Sequence, residues 1–231
     1  MTPSPDLLLS SGFLAFARHI GVLQALQAAG RPFDAIVGTS SGALVGALFA
    51  AGHRPEAIAA LVGDRRPLGL MRPSAQPWRG LCRLDPLIAF LSVNLPARIE
   101  DLPRPFAVGV IDGAGRHLLL TRGGLPQAVA ASCAMPHVFA PVEVDGLPYA
   151  DGGAADRLGL DAWRAFRPGR SAIAHEVART AGRDLGSDRS GVWTIRTPRS
   201  GASFWSLGDV PAQIAEARVL ATTQLPGPGW P

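Results

Sequence analysis

Ser40 stands in Gly38-Thr39-Ser40-Ser41-Gly42, between the run Asp34-Ala35-Ile36-Val37 and a stretch of small apolar residues. That is the layout of a nucleophile elbow. A strand turns sharply into a helix and lifts one serine hydroxyl above the sheet edge. Glycines flank it because a Cβ there would clash with the backbone crossing beside it. The positive end of the helix dipole faces the same point. Such a serine attacks an acyl carbonyl. Ser41 is a rival nucleophile, but only Ser40 has glycines two residues away on both sides.

A serine hydroxyl is a poor nucleophile until a base takes its proton. The five histidines are His19, His53, His117, His137 and His175. The order Ser40, Asp151, His175 would suit a Ser-Asp-His hydrolase of the α/β type. Only one strand and one helix precede the elbow, however, where that arrangement normally has several strands. The other candidate base is Asp151 itself, in Tyr149-Ala150-Asp151-Gly152-Gly153. It follows a short apolar strand and opens a tight glycine turn that can aim a carboxylate across a site. Asp-Gly is also favoured in turns for backbone reasons alone, as at Asp112-Gly113 and Asp145-Gly146. On these residues both bases stay open.

The elements that must position these groups alternate. Leu7 to Leu9 reads as a buried strand, and Phe16 to Ala29 has helical spacing at Phe16, Ile20, Leu23 and Leu26. A strand at Ala35 to Val37, a helix from Ser41 to Ala51 and another from Pro55 to Val62 follow. The glycines inside the elbow helix, Gly42 and Gly46, predict close packing on the sheet. Arg65 to Arg83 shows no period and reads as a long loop or flap, whose Met71, Trp78 and Leu81 are apolar. Asp85-Pro86 opens a helix. Phe106 to Ile111 and His117 to Thr121 read as strands, Leu125 to Met135 as a helix ended by Pro136, and Val142 to Val144 and Leu147 to Ala150 as short strands. Later come a helix at Asp161 to Phe166, strands at Ala172 to Val177 and Val192 to Thr197, and a helix at Val210 to Thr223. Strands alternating with helices predict an α/β fold with a mostly parallel sheet. One domain over 1–223 is expected, with a loose tail at 224–231.

Composition narrows the rest. The chain has 231 residues, a net charge of +4 and 47% hydrophobic residues, so it is built to fold around a core. Its basic side chains are all Arg, and they are scattered, with only Arg65-Arg66 adjacent. Nucleic-acid binding is not expected; contact with an anionic lipid surface fits somewhat better, and an ordinary solvated surface built with Arg fits best. Cys82 and Cys133 form no metal or redox spacing, and Cys133 reads as a small core residue. Asp6, with no basic residue before the apolar stretch, argues against a secretory leader. A cytoplasmic protein, able to lie peripherally on a membrane, is the expectation.

Taken together, the motifs resemble the patatin-like phospholipase family from about Asp6 to Leu160. The resemblance rests on Gly38-Thr39-Ser40-Ser41-Gly42-Ala43, Ala128-Val129-Ala130-Ala131-Ser132, Met135-Pro136, Phe139-Ala140-Pro141-Val142, Asp151-Gly152-Gly153 and His19-Ile20-Gly21-Val22-Leu23. It implies a three-layer α/β/α fold and a Ser-Asp dyad without histidine, with Ser40 as nucleophile and Asp151 as base. It implies hydrolysis of lipid acyl esters, phospholipid or neutral, with no cofactor and no metal. Backbone amides of Gly12, Phe13 and Ser41 would form the oxyanion hole. A free Asp, with a pKa of about 3.9, is a weak base, and burial would strengthen it. His19, His137 and His175 are then expected as core histidines with bonded nitrogens.

The sequence departs from the family pattern in the oxyanion loop. Where a glycine-rich run with an arginine just beyond belongs, the chain reads Ser10-Ser11-Gly12-Phe13-Leu14-Ala15-Phe16. One glycine survives, Ala15 replaces the arginine, and Arg18 is the nearest substitute. Arg157 and Gly159 fall where the family often has prolines. The departure bears on activity rather than fold: one oxyanion donor is typically worth about 2.7–4 kcal/mol. Lipid or partner binding without turnover, and acyl transfer to an acceptor other than water, are the alternatives it leaves.

Overall fold

The computed structural model of the chain describes residues 4–179 and 188–227. The expected tail lies outside them from residue 228 onward. Four apolar or β-branched runs give the parallel centre of the sheet: β1 (Asp6–Leu9), β2 (Ile36–Thr39), and, beyond the helices described below, β5 (Phe106–Ile111) and β9 (Ala172–Val177). Between and after them lie α1 (Phe16–Ala28), α2 (Ser41–Ala50), α3 (Pro55–Gly63), the small hairpin β3 (Arg72–Pro73) and β4 (Cys82–Arg83), and α4 (Asp85–Asn94). The chain continues through β6 (His117–Leu120), α5 (Leu125–Ser132), β7 (Val142–Val144), β8 (Leu147–Asp151), α6 (Leu160–Phe166), β10 (Val192–Thr197) and α7 (Val210–Gln224).

The described residues form an eight-stranded sheet in the order β10-β9-β1-β2-β5-β8-β7, with β6 on β5. Pairing is parallel from β10 to β5 and antiparallel for β6, β7 and β8. Strand alternation divides the core in two. Leu7, Leu9, Ile36, Phe106 and Val108 face the large cluster under α1, α2, α4 and α5. Leu8, Val37, Ala107, Ala172 and Ala174 face Trp163 of α6 on the other side. Burying each such Leu or Val contributes roughly 1.5–3 kcal/mol. The sheet is thus mostly parallel and flanked by helices, as the sequence predicts.

Two expectations change. The helix from Leu125 stops at Ser132, not Met135. The chain opens there so that the Ala134 carbonyl can accept from the Asp151 amide at 3.0 Å. The stretch from Arg65 to Arg83 is not a structureless loop. It contains short 3₁₀ turns at Pro67–Leu70 and Pro77–Arg79 and the β3–β4 hairpin. Pieces this short carry no hydrophobic period, which is why none was visible.

Candidate active site

The elbow forms where β2 ends. Ser40 has φ 55 and ψ −119, a sparsely populated conformation for a residue with a side chain. The motif glycines make the turn possible. A Cβ on Gly38 would sit 2.5 Å from the Gly42 carbonyl oxygen, and one on Gly42 would sit 2.3 Å from that of Leu9. The Ser40 amide donates to Ser132 Oγ at 2.7 Å, and that hydroxyl donates to the Gly109 carbonyl at 2.6 Å. Ser132 therefore ties α5 and β5 to the strained turn. Sequence reading found Ser132 within a motif but gave it no role.

Asp151 ends β8, where it pairs with Val110, and it is 5% exposed. Its Oδ1 accepts from the Gly153 amide at 2.8 Å. The two glycines after it are required by crowding: a Cβ on Gly152 would lie 2.6 Å from the Gly109 carbonyl carbon, and one on Gly153 2.5 Å from Ser11 Oγ. Burial pushes the Asp151 carboxyl up to about 6; hydrogen bonding from Gly153 and from the Ser40 side chain pulls the other way. The Ser40 contact pulls less strongly than the Gly153 bond. The two residues singled out from sequence border the same cavity.

Ser41, the rival, also borders the cavity but is 1% exposed. Its Oγ is 3.2 Å from His19 Nε2, and His19 Nδ1 is 2.8 Å from His175 Nδ1. His175 Nε2 reaches Thr197 Oγ1 at 2.9 Å. His19 and His175 are the buried, bonded histidines expected, so the Ser40-Asp151-His175 order does not assemble at Ser40. Burial lowers His19 to about 3, against a bond with the Ser10 backbone, and holds His175 well below its usual range.

Three expectations are corrected here. His137 is exposed, with φ 69, and borders the site instead of the core. Cys133 is half-buried and also faces the site; burial first, then the Asp151 charge, raise its thiol, while the Ser40 contact lowers it. Arg18 does not replace the missing loop arginine. It is 5% exposed and donates to Glu216 at 2.6 Å and to the Gln213 carbonyl, binding α1 to α7.

The loop from Ser11 to Ala15 keeps a defined course with Gly12 as its one glycine. Leu14 takes φ 47, a conformation glycine would adopt without penalty. Its carbonyls are tied back: Ser11 accepts from Arg157, Gly12 from the Ala15 amide at 3.2 Å, and Phe13 from Ser200 Oγ at 2.5 Å. The amides of Gly12 and Phe13 find no acceptor among the described residues. Arg157, at a position singled out only as a departure, also donates to the Val177 carbonyl.

Ser40, Asp151 and this loop border a cavity of about 580 Å³. Its walls are mostly apolar, with Phe16, Leu44, Met71, Leu87, Met135 and Phe139 among them. Among the described residues no group of three or more His, Cys, Asp or Glu is placed to hold a metal ion, and no helix is long and apolar enough to cross a membrane.

An elbow at the end of a parallel strand, a carboxyl from a glycine turn and an apolar cavity thus lie together on a mostly parallel sheet flanked by helices. The patatin-like phospholipase family model matches residues 7–162, and the chain belongs to that family. It is 39% identical over 161 residues to an uncharacterised NTE family protein of Mycobacterium tuberculosis (strain ATCC 25618 / H37Rv), covering 68% of this chain and 44% of that protein. It is 28% identical over 207 residues to lysophospholipase NTE1 of Mycosarcoma maydis, covering 83% of this chain and 11% of that protein. The chain thus spans less than half the length of these curated relatives. The crystal structure of VipD from Legionella pneumophila superposes with a TM-score of 0.54 at 16% identity, covering 96% of this chain and 66% of that one. That likeness concerns the fold.

Proposed function

We propose that this chain hydrolyses carboxylic esters of lipids with Ser40 as nucleophile and Asp151 as general base. The observation that carries the reading is the strained Ser40 elbow facing a buried carboxyl at an apolar cavity. Ser40 Oγ attacks the ester carbonyl carbon as its proton passes to Asp151. The carbonyl oxygen becomes an oxyanion, held by the amides of Gly12, Phe13 and Ser41. Asp151 returns the proton to the departing alcohol, leaving an acyl-serine. Water, deprotonated by Asp151, then attacks the acyl carbon; the bond to Ser40 Oγ breaks, Asp151 returns the proton to that oxygen, and the fatty acid is released.

No histidine takes part, so the raised Asp151 pKa is what equips the carboxylate for this chemistry. It is a stronger base than an exposed Asp, yet still ionised at neutral pH. The apolar walls suit an acyl chain. No cofactor enters the scheme. Fluorophosphonate labelling of the wild type and of Ser40→Ala, beside hydrolysis of short and long acyl esters, tests it. Wild-type protein that neither labels nor turns over any ester would favour binding without chemistry.

A further inference from the structure

Of nine large apolar side chains exposed among the described residues, four lie on two segments beside the cavity, and Val93, Leu147, Phe166, Trp193 and Val219 lie elsewhere. Trp78 is 79% exposed and Leu81 61%, both in the segment that joins β3 to β4. Leu68, on the 3₁₀ turn leading into β3, is 40% exposed. Trp205 is 76% exposed, on the segment between β10 and α7. Both segments also wall the Ser40 cavity: Pro67, Leu70 and Met71 from the first, Phe204 and Leu207 from the second. Apolar surface therefore runs from the cavity out to its rim.

The hairpin holds these residues in place. The Cys82 amide donates to the Val138 carbonyl at 2.9 Å, and the Ala140 amide to the Cys82 carbonyl at 2.8 Å. At Gly80, with φ 148, a Cβ would lie 2.1 Å from the Ala140 amide nitrogen, so the turn lies hard against that backbone. A tryptophan fixed in an exposed position costs solvation unless something covers it.

Charge says what covers it. Between Asp64 and Asp85 the chain carries Arg65, Arg66, Arg72, Arg79 and Arg83, five positive charges against those two; the second segment carries Arg199 and is followed by Asp209. Arg72 and Arg83 are engaged by Asp85, and Arg65 lies over the Phe90 ring. Arg66 and Arg79 are exposed with no ionic partner among the described residues. Tryptophan beside arginine is the combination that settles at the headgroup level of a bilayer, the ring in the acyl boundary and the guanidinium on phosphate.

We propose that the rim of this cavity docks on an anionic lipid bilayer, with Trp78 and Leu81 of the hairpin and Trp205 entering the interface and Arg66 and Arg79 on lipid phosphates. This goes beyond the reaction at Ser40 and does not depend on it. The test uses the whole chain carrying Ser40→Ala, so that vesicles stay intact. It is sedimented with phosphatidylcholine vesicles, alone or with about a third phosphatidylserine. Binding is expected to favour the anionic vesicles and to fall about tenfold or more in Trp78→Ser/Leu81→Ser. Arg66→Gln/Arg79→Gln is expected to erase the preference for phosphatidylserine. On the wild-type Ser40 background, Trp78→Ser/Leu81→Ser keeps its rate on a soluble short-chain ester and loses rate on vesicles. Failure to bind either vesicle overturns the proposal. So does binding that the hairpin variants leave unchanged, or a hairpin effect on self-association and not on vesicles. A wild type that binds vesicles but never hydrolyses would instead sink the catalytic reading and leave this one standing.

Discussion

The Ser132 hydroxyl accepts the Ser40 amide proton at 2.7 Å while donating its own to Gly109 at 2.6 Å. One buried side chain thus satisfies the backbone of the elbow from outside the elbow. Ser132→Ala would leave a buried amide and a carbonyl without that partner, at a cost of about 1–3 kcal/mol in stability. Ser40 would also lose a restraint on its φ of 55. We expect a lowered unfolding midpoint together with a drop in kcat of tenfold or more and little change in KM. A folded Ser132→Ala variant with full kcat would show that the elbow needs no such tie.

Ser40 and Ser41 are adjacent in sequence but differ in their side-chain partners. Both border the cavity, but Ser41 is 1% exposed and its Oγ stands 3.2 Å from His19 Nε2. Ser40→Ala is expected to abolish ester hydrolysis and fluorophosphonate labelling. Ser41→Ala removes a hydroxyl but keeps the backbone amide, and should retain both within about tenfold. Mass spectrometry of the labelled peptide decides the assignment: an adduct that survives Ser40→Ala would move the nucleophile to Ser41 with His19 as base.

Asp151 predicts a pH signature in both rate and stability. Its carboxyl, raised to about 6 by burial, must be ionised to act as base. The rate on a soluble ester should fall about tenfold per pH unit below that value and level off above it. The folded pKa lies above the unfolded one, so between about pH 4 and 6 the native state binds more protons than the unfolded chain. Stability is therefore lost as pH rises through that window, by up to about 3 kcal/mol. Asp151→Asn should be inactive, yet more stable than wild type at about pH 8 in urea titrations. A fully active Asp151→Asn would hand the base to a histidine.

Much of this was legible in the sequence because it is local. The glycines at 38 and 42, the apolar runs of β1, β2 and β5 and the Asp-Gly-Gly turn each carry their own signal in spacing. Partners distant in sequence carried none. Nothing near Ser132 says that its hydroxyl reaches Ser40, and nothing near Arg18 says that it turns to Glu216 and not to the oxyanion loop. Cys133 looked like core because its neighbours are apolar; α5 ends one residue before it, and that turn points it at Ser40 instead. The loss of glycines from the oxyanion loop bore on activity and left the fold as expected. Leu14 with φ 47 adopts a backbone that glycine favours, held by tertiary bonds to Arg157 and Ser200.

The His19–His175 pair makes the last prediction. The two Nδ1 atoms stand 2.8 Å apart, so one must carry a proton and the other must accept it. A second proton would set two N–H groups head to head in a site with no solvent, near Arg18 and Arg157. Both rings thus stay neutral in the fold, His19 down to about 3 and His175 well below its ordinary range. Unfolded, each titrates near about 6.5. The folded values are depressed, so the stability they confer is complete above about pH 6.5 and is lost as pH falls below it, at about 1.4 kcal/mol per pH unit for each ring. Asp151 works in the opposite sense over part of that range, so the clean measurement uses Asp151→Asn. Its unfolding free energy in urea should fall steeply from about pH 6.5 to about 5. His175→Asn on the same background should start lower and fall about half as steeply, because one buried ring remains. A stability that stays flat across this interval would mean that the pair takes up a proton within the fold, and that the neutral relay from Ser41 to Thr197 is not how these four side chains are held.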